Sequence, residues 1–173
     1  MRQAPRERFS EKRFVGIIRA GLIAIVYAGA TIILQPISFG PVQVRVADAL
    51  SPLPYVRRYG IYAVIGLTVG TLLANVVSPY GIYDILIGTA TNLIFSLIAW
   101  LIGRVAYPSR TGLLLVIAEE VLVTTFFIGY ILLHIIYGVP VTISIPGVLL
   151  GSLISQGVLG YFLTIYLIRR EKW

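Results

Sequence analysis

Cysteine is absent from this 173-residue chain, and histidine occurs once, at His134. Disulfides, thiolate metal sites and cysteine nucleophiles are therefore excluded, and one histidine is too few for a histidine-built metal centre. Charge is scarce too. Only 12% of the residues are Asp, Glu, Lys or Arg, against about a quarter in an ordinary soluble domain. No glycine-rich run ends in Lys-Ser or Lys-Thr, so the chain lacks the phosphate-cradling loop of the common ATPases. No serine–histidine–acid set is visible, and there is neither an internal repeat nor a low-complexity segment. No metal and no cofactor is implied.

What the chain does have is apolar length: 58% of it is hydrophobic. At about twenty residues per span, that leaves room for six or seven crossings and no separate soluble domain. The expected organisation is a basic cytoplasmic tail over 1–13, a six-helix membrane domain over 14–169 and a cytoplasmic end at 170–173. The apolar runs cover 14–34, 42–53, 59–77, 84–105, 112–137 and 145–168. The first run exceeds the core of a signal peptide, so it is read as a retained span. The second is short, carries Arg45 and Asp48, and is broken by Pro52 and Pro54.

The net charge of +7 is explained by where the charges fall, not by nucleic-acid binding. Counted over six crossings, the tail, the Arg57-Arg58 turn, the Arg104–Arg110 loop and the C-terminus hold every Lys and Arg except Arg45. The opposite loops, near 35–42, 78–83 and 138–145, hold none. Positive loops stay cytoplasmic, so both termini are expected inside, in an all-α plasma-membrane protein embedded in the lipid bilayer.

Ionisable and polar groups within spans are expensive and mark candidate sites. Arg45 and Asp48, three apart, share one helical face and can pair. Either they neutralise each other or they face a ligand. Asp84 suits a helix N-cap or a site near the outer edge. Asn75 ends the preceding span, and the two flank one outer loop. Glu119 and Glu120 lie about 12 Å into the fifth span, at 1.5 Å per residue, on faces about 100° apart. Beside Tyr130 and Tyr137, His134 suits the membrane interface. Ala20, Ala24 and Ala28, with Gly16 in phase, form a small-residue stripe that lets another helix approach closely. That helix belongs either to this bundle or to a partner subunit.

The segment Pro36-Ile37-Ser38-Phe39-Gly40-Pro41-Val42-Gln43-Val44-Arg45-Val46-Ala47-Asp48-Ala49-Leu50, ending Leu53-Pro54, resembles the signature of the QueT family. A second matching stretch is Asn75-x-x-Ser78-Pro79-x-Gly81-x-x-Asp84-Ile85-x-x-Gly88. The resemblance is specific from about Gln35 to Gly88. It departs from the family at Asp48, where a Glu is usual, and at Gly151-Ser152, in place of a Gly-Glu pair. The family comprises substrate-binding S components of energy-coupling factor (ECF) transporters, assigned to queuosine precursors. The resemblance therefore implies a partner set of one membrane scaffold (T) subunit and two ATPase subunits, with Ala20, Ala24 and Ala28 as the docking stripe. It also implies a 7-deazaguanine substrate. A carboxylate such as Asp48 accepts the ring N–H and exocyclic amine side by side. Gln43, Arg45 or Asn75 donates to the base carbonyl, and Tyr80 or Tyr83 stacks on the ring. Asp84 completes the expected set.

Three functional classes follow. The first is an uptake subunit, for a queuosine precursor or for another vitamin or purine-like solute, with no chemistry on the substrate. The second is an intramembrane enzyme using Asp48, Asp84 or Glu120. Its catalytic groups would converge, whereas these acids are spread over three spans. The third is a membrane assembly protein, which accounts for the alanine stripe but not for Arg45, Asp48 and Asn75.

Overall fold

The computed structural model describes residues 5–39 and 43–171, with side chains from Arg13 onward. Residues 1–4, the Gly40-Pro41-Val42 part of the expected turn and second run, and Lys172-Trp173 lie outside the described residues. Five long helices carry the fold: α1 (Pro5–Ile33), α2 (Gly60–Asn75), α3 (Gly81–Ala106), α4 (Arg110–Ile136) and α5 (Val141–Arg170). No strand occurs among the described residues. Four stretches are long and apolar enough to cross a bilayer: Arg13–Ile33 in α1, and α3, α4 and α5 in full. With 16 residues, α2 is shorter. At 1.5 Å per residue it extends about 24 Å, less than the hydrocarbon core of about 30 Å.

The surface is inverted relative to a soluble protein. Ile25, Leu86, Leu122, Val105 and Phe162 are exposed, while Asn75, Glu120, Gln156, Ser96 and Thr164 are buried. Lipid solvates such an exterior, and polar groups are tolerated only inside.

Packing of α1 on α2 fixes the topology. Gly66 lies against the Ala20 carbonyl, Gly70 against Ala24, and Gly16 under the Tyr62 ring. The three pairs share one constant offset in sequence, so the two helices run parallel. Small residues every fourth position on both helices allow this close approach. The chain must then travel back the length of the bundle between them. The described residues 34–39 and 43–59 mark that return: at one end Gln35 donates to the Val77 carbonyl at 3.3 Å, and at the other the Tyr55 hydroxyl lies 2.9 and 2.7 Å from the carbonyl oxygens of Ala106 and Ser109.

This returning segment differs from the expected short helix. Its described part holds one α-helical turn, Gln35–Ser38, and then two 3₁₀ turns, Val46–Leu50 and Leu53–Tyr55. Pro52 and Pro54 have no N–H to give an α-helical ladder. A 3₁₀ turn also rises about 2.0 Å per residue rather than 1.5, so the same residues reach further. Irregular backbone survives at membrane depth only when protein encloses it. Accordingly Ala47, Ser51, Leu53, Tyr55 and Val56 are buried.

The remaining helices alternate. Asn75 of α2 meets Asp84 of α3, Ser109 caps α4 by accepting from the Gly112 N–H at 2.9 Å, and Gly129 of α4 faces Ser144 and Val148 of α5. Arg19, Arg58, Arg104, Arg110, Arg169 and Arg170 therefore gather at one end. There Arg19 donates to the Arg58 carbonyl at 2.8 Å.

Candidate functional site

The returning segment brings Gln43, Arg45 and Asp48 into the middle of the bundle, where they face α4 and α5. Together with Thr124, Ile128, Val148, Ser152 and Ser155 they line a cavity of about 30 Å³. Both helices widen at this point. From Thr125 to Ile136, α4 adopts π-helical pitch, and α5 does so from Leu153 to Gly160. Wide π turns free backbone groups and re-aim side chains, which is why they gather at functional sites. Gly151 lets α5 press directly on the Gln43 carbonyl, a place where a Cβ would collide.

Asp48 accepts a hydrogen bond from the Tyr27 hydroxyl at 2.5 Å. The Arg45 guanidinium stands 4.9 Å over the Phe39 ring, within the field of Tyr27, Asp48 and Asp84. An aspartate held by a tyrosine keeps acceptor capacity on its second oxygen.

Asn75 and Asp84 do come together. Asn75 Nδ2 donates to the Asp84 backbone carbonyl at 2.9 Å, and Gly88 leaves the room that Asn75 fills. Asn75 Oδ1 and Asp84 Oδ2 are buried without a partner among the described residues. Asp84 is not the helix cap. Tyr80 holds that position, and Asp84 falls in the first turn of α3, where the helix dipole favours a carboxylate. Tyr80 packs near the Gln43 side chain, and its hydroxyl pKa is raised, chiefly by burial, with Gln43 opposing the shift. Tyr83 is half exposed, with its ring edge-on to Tyr137.

The alanine stripe is internal. Ala20, Ala24 and Ala28 are buried, the first two against Gly66 and Gly70 of α2. The docking role expected of them is thus not carried by an open face in this structure.

Several site residues escaped the sequence reading. Tyr27 is buried within the first span. Ser51 donates to Glu120 at 2.6 Å, and Gln156 donates to Thr124 at 3.1 Å. Glu120 is fully buried rather than interfacial, and it lies within the field of Asp48. His134 Nδ1 is 2.9 Å from the Val139 carbonyl, at the turn into α5. The one available signal for this polar layer was the presence of Thr124, Ser152, Ser155 and Gln156 in otherwise apolar spans.

A family model described as the QueT transporter matches residues 17–169. No curated protein and no solved structure matches the chain.

Proposed function

Since the chain belongs to the QueT transporter family and is a membrane protein of the transport class, we propose that it is the substrate-binding subunit of an ECF-type uptake transporter for a 7-deazaguanine precursor of queuosine. The observation that carries this reading is the convergence of Gln43, Arg45 and Asp48 with Thr124, Ser152 and Ser155 on one buried cavity. An ionised Asp48 accepts two neighbouring donors of the base, and Arg45 or Gln43 donates to its carbonyl. Asn75 and Asp84, with unpartnered buried oxygens, form the outer rim, and Tyr80 covers it. At about 30 Å³ the cavity has room for water rather than a bicyclic base, so loading displaces the segment around Gln43.

The parallel α1–α2 packing supports six crossings, five helical and one made by residues 34–59. Both termini then share the arginine-rich end, which the positive-inside rule assigns to the cytoplasm. A scaffold subunit and two ATPase subunits supply the energy, since the sequence carries no phosphate-cradling loop of its own.

Binding of a panel of purines, deazapurines and vitamins to the purified protein tests the substrate. Saturable binding of deazaguanines, with guanine weaker, is the expected result. Tight binding of an unrelated vitamin and none of the bases would remove the assignment. Uptake that persists without any co-expressed ATPase would remove the partners.

A further inference from the structure

A large cleft lies away from the polar site, at the arginine-rich end. It has a volume of about 810 Å³ and is walled by Arg19, Arg57, Arg58, Tyr62 and Trp100, with Val15 and Ile61 among its apolar lining. A second hollow of about 250 Å³ adjoins it through Arg57 and Trp100 and adds Arg104. We propose that this cleft binds the phosphate headgroup of an anionic phospholipid from the leaflet at that end.

Charge comes first. Four arginines, Arg19, Arg57, Arg58 and Arg104, converge on the two hollows, and three of them contact a backbone carbonyl or an aromatic face. Arg19 donates to the Arg58 carbonyl, Arg57 lies 6.0 Å over the Tyr107 ring, and Arg104 lies 5.4 Å over the Trp100 ring. No carboxylate pairs with these four among the described residues. Arginines held by carbonyls and rings keep free N–H donors in a fork that matches phosphate oxygens. A neutral base has no charge to satisfy them, so the cleft is not a second port for the proposed substrate.

Position argues next for lipid over a soluble anion. Val15 and Ile61, on the rim, are exposed large apolar side chains, and Ile18 and Leu22 continue the exposed face along α1. Trp100, Tyr59 and Tyr62 lie at the same level, as expected of aromatic side chains at a membrane interface. A cleft with a basic floor and an apolar side wall takes a headgroup together with the start of its acyl chains. Basic pockets between transmembrane helices take anionic headgroups on this physical basis.

The test uses the two tryptophans, Trp100 and Trp173. In a Trp173→Phe background the emission reports on Trp100 alone. Detergent-solubilised full chain is titrated with phosphatidylglycerol and, separately, with phosphatidylcholine. Saturable quenching or shift is expected with phosphatidylglycerol at a concentration at least tenfold below that for phosphatidylcholine. Each arginine near an anionic lipid surface contributes a factor of about five. The pair Arg57→Gln with Arg58→Gln should therefore weaken phosphatidylglycerol binding about thirtyfold, with the thermal midpoint as the check on folding. Arg169→Gln with Arg170→Gln removes the same charge from the same end outside the cleft and should change binding less than threefold.

Equal loss in both pairs would make the effect diffuse attraction and overturn the site. Equal binding of the two lipids would overturn it as well. Saturation by inorganic phosphate or glycerol phosphate at the lipid's own concentration would assign the cleft to a soluble anion. Unchanged lipid binding in the Arg57/Arg58 pair, with loss of uptake by the assembled transporter, would assign these arginines to a partner protein instead.

Discussion

Gly66→Ala adds one methyl group at the contact between α1 and α2, and the structure states what that methyl meets. A Cβ on Gly66 lies 2.6 Å from the Ala20 carbonyl oxygen and 2.9 Å from Ile23 Cβ, whereas ordinary contact begins at 3.4 Å. Helix α1 must retreat by about 0.8 Å, the difference between the two distances. A carbonyl oxygen in a helix cannot rotate aside, so the whole face moves, including Ala24 and Tyr27 against Gly70. A radial gap of about 0.5–1 Å forfeits a quarter to a half of each dispersion contact. Overpacking of this kind costs about 1–3 kcal/mol, and the rigid neighbour places Gly66 in the upper part of that range. Against it stands a gain of about 1 kcal/mol for replacing glycine by alanine within a helix. The expected net loss is about 1–2 kcal/mol, or a fall of roughly 2–8 °C in thermal midpoint for a chain of this length. Gly21→Ala on α1 is the control. It meets nothing within 4 Å, so it keeps the helical gain and melts at or above the parent. Differential scanning fluorimetry of the purified variants decides. If Gly66→Ala melts as high as Gly21→Ala, the close parallel packing, and with it the returning path of residues 34–59, is wrong.

Three further outcomes are expected. Asp48→Asn exchanges an ionised acceptor for an amide and should weaken deazaguanine binding by about ten- to a hundredfold, the equivalent of one hydrogen bond to a charged group. Adding Arg45→Gln should leave that deficit in place, and parent-like affinity in the double variant, measured by calorimetry, would remove Asp48 from the site. Ala24→Leu should lower folded yield and ligand binding together, because the Ala24 Cα already touches the space over Gly70. A variant that binds normally yet fails in uptake would return the stripe to a partner. Because the parent has no cysteine, single cysteines report topology cleanly. Val139→Cys should react with an impermeant thiol reagent in intact cells and Arg110→Cys should not; the reverse pattern would invert the proposed orientation.

Five helices were legible in the sequence within a few residues, because an apolar run long enough for lipid has no other stable state, except that α1 begins at Pro5, nine residues before the expected run. The gathering of arginines at one end was legible for the same reason, since charge is excluded from the spans between. So was the meeting of Asn75 and Asp84, which one short turn forces together. Three things were decided only by tertiary contact. Residues 42–53 had the composition of a short helix, but two prolines and the need to span the bundle left Val46–Leu50 and Leu53–Tyr55 as 3₁₀ turns, stabilised by burial rather than by an α-helical ladder. The alanines on α1 were equally suited to an internal or an external neighbour. In the structure Ala20 and Ala24 pack on Gly66 and Gly70, whose missing side chains accept the α1 backbone. The polar layer of Tyr27, Ser51, Glu120 and Gln156 depends on pairs 21 to 69 residues apart. A helical pattern records which face is apolar, but not which residue across the bundle will hold a buried hydroxyl or carboxylate.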